Sequence, residues 1–222
     1  MITKDIYKYR EQGEHTMMQL YQYGLQNNAL KYRKEPLHKF LRTVFLKGVP
    51  PIFQSNSMSA SRDTQYIASD INGEMIYNLR KEVNSIPFPV TVYKNCTHFF
   101  SQVCLESNGF VEKKFRAEKG LTVTNAMQQH ERVQKHFMYT NNAIAMEVPV
   151  WDIPKSCTAF LDLVVRFKGA YWILDYKPQA DSAKNKHAVS QLLLGRDMLH
   201  KHTGIEFKCA YFDERTTYIL NL

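Results

Sequence analysis

Apolar residues follow two rhythms along this chain. In some segments they recur at helical spacing, and in others they come in short dense runs rich in Val, Ile, Phe, Tyr and Trp, as strands do. The densest stretch is Ala159 to Lys177, AFLDLVVRFKGAYWILDYK, where two such runs flank Lys168-Gly169. This pattern predicts a β-hairpin with a short turn. If pairing proceeds outward from Lys168-Gly169, Asp162 lies directly opposite Asp175. Both runs are apolar on both faces, which predicts central, buried strands.

The remaining elements follow in order. Glu14 to Lys34 carries Met17, Met18, Leu20, Tyr21, Leu25 and Leu30 at roughly helical spacing and predicts a helix. Pro36 opens a second helix, with Leu37, Phe40, Leu41, Val44 and Phe45 on one face, stopped by Gly48 and Pro50-Pro51. Residues 50 to 61 are polar and turn-rich and predict a loop. Helices are expected over 62–84, 97–106 and about 124–139, the last capped by Thr124 or Asn125. A short strand is expected over 87–95, and a strand or an irregular segment over 110–117. Ala143 to Trp151 is a strand carrying one acid, Glu147, and the hairpin follows it. Ala183 to His202 is a helix burying Val189, Leu192, Leu193, Met198 and Leu199, with Gln191 beside that stripe. Glu206 to Phe212 and Thr216 to Leu220 close the chain as strands. The order from residue 122 predicts an α/β (α+β) core with a mixed sheet. The expected organisation is a basic, mainly helical region over 1–118 and a core over 119–222.

Composition adds a partner class. The formal net charge of the 222 residues is +8, which favours a polyanion. Cys96, Cys104, Cys157 and Cys209 are scattered with no C-x-x-C pair, which argues against a zinc site. The start has no apolar signal segment and no run of 18 apolar residues exists, so the reading is an intracellular protein with reduced thiols and no membrane span. Lys31, Arg33, Lys34, His38, Lys39, Arg42 and Lys47 form a basic cluster suited to phosphates, or simply a solvated helix face. Tyr7, Tyr9, Tyr21, Tyr23 and Tyr32 interleave with Lys and Arg, as in single-strand binders. At helical spacing such residues also serve as packing residues.

Two buried carboxylates side by side are costly, and like charges facing across a ladder destabilise it. A divalent cation between Asp162 and Asp175 would relieve both costs. Lys177, two residues beyond Asp175, falls on the same face. A carboxylate pair with an adjacent lysine suits phosphodiester hydrolysis.

With Asp162 in FLDLVV, then Ile173-Leu174-Asp175-Tyr176-Lys177, then a helix bearing Gln191, the chain from about 120 to 222 resembles the PD-(D/E)xK nuclease superfamily, nearest its RecB-like exonucleases. It departs from that branch in Pro178-Gln179 after the lysine and in Gly195, where a tyrosine often follows the glutamine. The resemblance implies a restriction-endonuclease-like core and Mg2+ or Mn2+ held by Asp162 and Asp175, with the Tyr176 carbonyl and Glu147 completing the shell. Lys177 would orient or deprotonate the attacking water, or stabilise the transition state. Gln191, Lys184, Lys186 and Arg196 would support the lysine or hold DNA, and His130 and Glu131 would supply a first-helix site. The structural alternative is an Asp175–Lys177 ion pair at a strand end with Asp162 partly exposed, Gln191 and the cations on ordinary helix surfaces, and His130 and Glu131 as a surface ion pair or a satisfied core histidine.

The implied function is a metal-dependent deoxyribonuclease in DNA replication, recombination or repair, in a virus or mobile element. A homodimer would suit cutting of two strands. The rivals are a non-catalytic DNA-binding protein that kept the fold, and an assembly protein with an acidic partner.

Overall fold

The structure, a computed structural model, describes residues 1–12, 15–31, 34–55, 58–59, 90–91, 133, 143–177, 186–212 and 217–220. In chain order these form β1 (Ile2–Gln12), β2 (His15–Leu25), α1 (Asn27–Lys31), α2 (Pro36–Lys47), a 3-10 turn (Pro51–Gln54), β3 (Met58–Ser59) and β4 (Val90–Thr91). Then come β5 (Ala145–Asp152), β6 (Cys157–Phe167), β7 (Ala170–Tyr176), α3 (Lys186–Thr203), β8 (Phe207–Phe212) and β9 (Thr217–Leu220). The strands make one sheet in the order β1-β2-β5-β6-β7-β8-β9-β4, with β3 beside β6. Among the described strands, only β7–β8 and β3–β6 are parallel. The fold is α+β with a mixed sheet, as the sequence predicts.

The hairpin at the centre follows from local chemistry. Lys168 and Gly169 both adopt left-handed backbone, with φ of 48° and 78°. Two successive positive-φ residues match the right-handed twist of the flanking strands, and glycine takes that conformation without strain. The register is the expected one, from Phe167 with Ala170 to Leu163 with Leu174. The next residues outward are Asp162 and Asp175.

Apolar side chains on the two sheet faces form two cores. The larger lies under the helices and includes Leu37, Leu41, Leu161, Val164, Ile173, Leu192, Leu199 and Cys209. The smaller gathers Met146, Leu163, Val165, Trp172, Leu174, Tyr176 and Phe212 with Val133. Pro36 begins α2 and Gly48, at φ 87°, ends it, both as the sequence predicts. Lys4 Nζ donates to the Phe45 carbonyl in the last turn of α2 at 2.9 Å. α3 is fastened at its C-terminal end. Lys201 pairs with the buried Asp152 at 2.5 Å, and His202 Nε2 donates to the Trp151 carbonyl at 2.9 Å while its ring stacks on Phe40.

One expectation is overturned. The segment expected as a helix over 14–34 is strand β2 through Leu25, paired along its length with β1. Tyr21, Tyr23 and Leu25 sit at period two and face the larger core. Tyr23 is fully buried with its hydroxyl donating to the Leu41 carbonyl, and Tyr21 stacks on Phe160. The apolar residues of this segment satisfy both periods, and tertiary pairing decides between them. The basic N-terminal region is therefore not mainly helical in its described residues. It adds strands to the same sheet, where Gly24 and Leu25 pair with Met146 and Ala145. Within the expected loop over 50–61 lie the 3-10 turn and β3, and Val90–Thr91 of the expected 87–95 strand pair with β9. The expected elements over 62–84, 97–106, 110–117 and 124–139 lie outside the described residues, apart from Val133.

At Gly195 of α3 a Cβ would run into Leu161 Cδ2, and Leu161 is buried, so its side chain would have to repack. We expect Gly195→Ala to lower the unfolding free energy by about 1 kcal/mol or more, even though helix propensity alone favours alanine by about 1 kcal/mol. Urea denaturation of Gly195→Ala, Leu161→Ala and the double variant checks this. The double variant should be less destabilised than the sum of the two, because the shorter side chain vacates the space.

Candidate functional site

Asp175 sits near the end of β7, between β6 and β8, on the face covered by α3. It is 3% exposed. Its Oδ1 accepts from Lys177 Nζ at 2.5 Å, and Lys177 is itself buried. Its Oδ2 is enclosed without a hydrogen-bond partner. The period-two backbone brings both side chains to one face, and the Lys177 amide donates to the Phe212 carbonyl at 2.9 Å, fixing the strand end. Tyr176, between them, turns into the smaller core against Phe212.

Burial raises the pKa of Asp175, and the charge of the facing Asp162 raises it further. The Lys177 ammonium pulls the other way and is outweighed. The site therefore carries an excess of carboxylate that the lysine alone does not neutralise. Asp162 is half-buried and completes the pair across the hairpin, in the register expected from the turn.

Glu147 reaches the same level of the sheet from β5. Met146 pairs with Leu163 and Val148 with Leu161, while Glu147 and Asp162 between them face each other without forming a ladder pair. The cause is a left-handed backbone at Glu147, φ 44°, inside a strand. The ladder slips at this one level, between Met146–Leu163 and Val148–Leu161, and the same register resumes on either side. Such a backbone costs about 1–3 kcal/mol and marks places where geometry serves something other than stability.

An enclosed carboxylate oxygen without a donor, facing a second carboxylate, fits a hard divalent cation with oxygen ligands. Among the described residues, no group of three or more His, Cys, Asp or Glu side chains could hold a metal ion, so the two aspartates meet as a pair. Further ligands would come from backbone oxygen and water, which Mg2+ retains readily.

Of the other expected site residues, Gln191 is half-buried on α3. Lys186 opens that helix. Arg196 is engaged with Asp197 at 2.7 Å. His130, Glu131 and Lys184 lie outside the described residues. Within the basic N-terminal cluster, His38 is buried and lies 3.2 Å from Glu35, so it is not a solvated cation. Glu35 also accepts from the Tyr171 hydroxyl at 2.5 Å, tying α2 to the start of β7. Sequence reasoning misses this link because its partners are far apart in the chain, and it misses the slip because no local pattern announces a left-handed glutamate. Gly195, where RecB-like chains often carry a tyrosine, has a steric reason in Leu161.

A pH dependence follows. The folded state holds the Asp175 proton to higher pH than the unfolded chain does, so this group stabilises the metal-free fold at low pH. That contribution is lost as pH rises from about 4 through the raised folded value. We expect the melting temperature of the native chain in EDTA to fall across this range relative to Asp175→Asn, which cannot titrate. Parallel profiles for the two proteins would contradict it.

No helix among the described residues is long and apolar enough to cross a membrane. Compared with protein-family models, curated proteins and solved structures, the chain matches none.

Proposed function

We propose that this chain is a metal-dependent deoxyribonuclease with a restriction-endonuclease-like core of the PD-(D/E)xK kind. The observation that carries the reading is the buried Asp175, with one oxygen on Lys177, the other without a partner, and Asp162 facing it. A structural ion pair needs one carboxylate; a second one held against it adds repulsion that either a retained proton or a bound cation must relieve, and the cation is the form that suits neutral pH with Lys177 alongside.

In this reading Asp162 and Asp175 hold Mg2+ or Mn2+, with the Tyr176 carbonyl as a further ligand and Glu147 acting through water from across the slip. When bound, the ion lowers the pKa of water and offsets charge growing on the phosphate. Lys177 lies beside the pair with its ammonium fixed by Asp175, placed to donate to a phosphate oxygen as negative charge develops. The half-buried Gln191 supports the lysine or the phosphate from α3. The net charge of +8 favours association with DNA.

We expect cleavage of labelled linear and circular DNA with Mg2+ or Mn2+ and none with EDTA. Asp175→Ala and Lys177→Ala should each lower the rate at least a hundredfold, roughly the scale of losing one transition-state donor. Mg2+ should raise the melting temperature of the native protein, more at pH 8 than at pH 5, and this gain should vanish in Asp162→Asn and Asp175→Asn. Cleavage loss without loss of the Mg2+ shift in Lys177→Ala would separate its role from metal holding. DNA binding without cleavage under either metal would replace the enzyme by a binding protein.

A further inference from the structure

At the opposite end of the β6–β7 hairpin from Asp175, three exposed cations sit on aromatic rings. Arg166 lies over Tyr171 at 5.6 Å, Lys168 over Phe167 at 5.5 Å and Lys208 over Trp172 at 5.4 Å. Arg166 pairs with Tyr171 across the hairpin and Lys208 with Trp172 across β7–β8, so all three cluster around the turn. Tyr171 belongs to the α2 side of the sheet, whereas Phe167 and Trp172 belong to the smaller core. The cations therefore straddle the tip. None lies within 4.0 Å of a carboxylate among the described residues, although Arg166 is close enough to Glu35 to help hold its carboxyl below the usual range.

The tip is also stiff. The Trp172 indole donates to the Phe167 carbonyl at 3.2 Å, and the Tyr171 hydroxyl is held by Glu35. A surface loop with lysines would lose side-chain entropy on meeting a ligand. Cations lying on buried or half-buried rings have already lost part of it. From Asp175 to the turn is about 15–20 Å along β7, the length of roughly five base pairs.

We propose that this tip is a phosphate-backbone contact for nucleic acid, holding the substrate at a second point away from the reacting group. The inference rests on the nuclease reading for its substrate class, but its test does not depend on cleavage. The chemistry favours a nucleic acid because the cations are spread around both faces of an exposed turn. A polyanion that runs past the tip can meet all three, while a flat surface meets one side.

The experiment is fluorescence anisotropy in EDTA, with a labelled duplex several helical turns long and the matching single strand, over a series of salt concentrations. The variants are the tip triple Arg166→Gln, Lys168→Gln and Lys208→Gln, and a control triple Lys39→Gln, Lys47→Gln and Lys155→Gln, which removes equal charge from exposed positions elsewhere. Circular dichroism establishes that both fold. The tip triple should bind about tenfold or more weakly, with the slope of log K against log salt reduced by about 2–3, and the control should lose clearly less. Equal losses in both triples, or no loss in the tip triple, would overturn the proposal. So would tip-dependent binding to phosphatidylserine vesicles without DNA binding. If the native protein cuts DNA while the tip triple binds it as well as native, only the tip proposal fails. If native protein binds through the tip but never cuts, only the nuclease reading fails.

Discussion

A carboxylate enclosed in an apolar sheet is the constraint around which this molecule is arranged. Asp175 has neighbours on both sides in β6 and β8 and a helix over it, so water cannot solvate it. Such a group must be neutralised by a proton, a cation or a partner, because an isolated charge in that setting is far too costly. Lys177 supplies one partner two residues along the same strand. Asp162 then works against that solution. It comes from the preceding strand of the same hairpin, and the turn at Lys168-Gly169 fixes it opposite. The two features that bring the carboxylates together, a left-handed turn and the register that runs from it to Leu163 and Leu174, are strongly specified local features of the fold.

The slip at Glu147 belongs to the same arrangement. Without it, a third acid would stand in regular cross-strand pairing opposite Asp162, with like charges held at ladder distance. The left-handed residue interrupts the ladder at that one level, and the register resumes beyond it. Large apolar side chains on either side then fill the two cores as though nothing had been interrupted. Backbone strain at a charged residue, flanked by well-packed neighbours, is the usual way a fold sustains a geometry that its own stability would not select.

Much of this is legible in the sequence, and the reasons are local. The hairpin, its centre and the facing aspartates follow from β-branched runs around one Lys-Gly turn. α2 follows from Pro36 and Gly48, and the last two strands from short apolar runs bounded by polar residues. The N-terminal hairpin was not legible as such, because Met17, Met18, Leu20, Tyr21 and Leu25 fit a helix stripe as well as a strand. The signal against the helix was Gly13-Glu14 between two runs of like length, a glycine-first connection suited to a hairpin. The carboxylate pair was legible as residues, but the orphaned oxygen was not, since enclosure depends on β8 and α3. The ring-borne cations at the tip are visible only once Lys208 is brought beside Trp172.

The placement of β2 also bears on how the chain comes to be folded. Its register partner in the sheet is β5, since Gly24 meets Met146, and β5 is made only after most of the chain has emerged. The N-terminal hairpin can close on itself early, but the edge it offers to the sheet must wait through the synthesis of everything between. Loop closure over such a separation is slow to be rewarded. Until then the backbone at Gly24 and Leu25, which β5 will pair, and the apolar side of Tyr21 and Tyr23 stand open to other chains. Yield on expression should therefore depend on what shelters the first strands of a nascent chain at least as much as on the stability of the finished sheet.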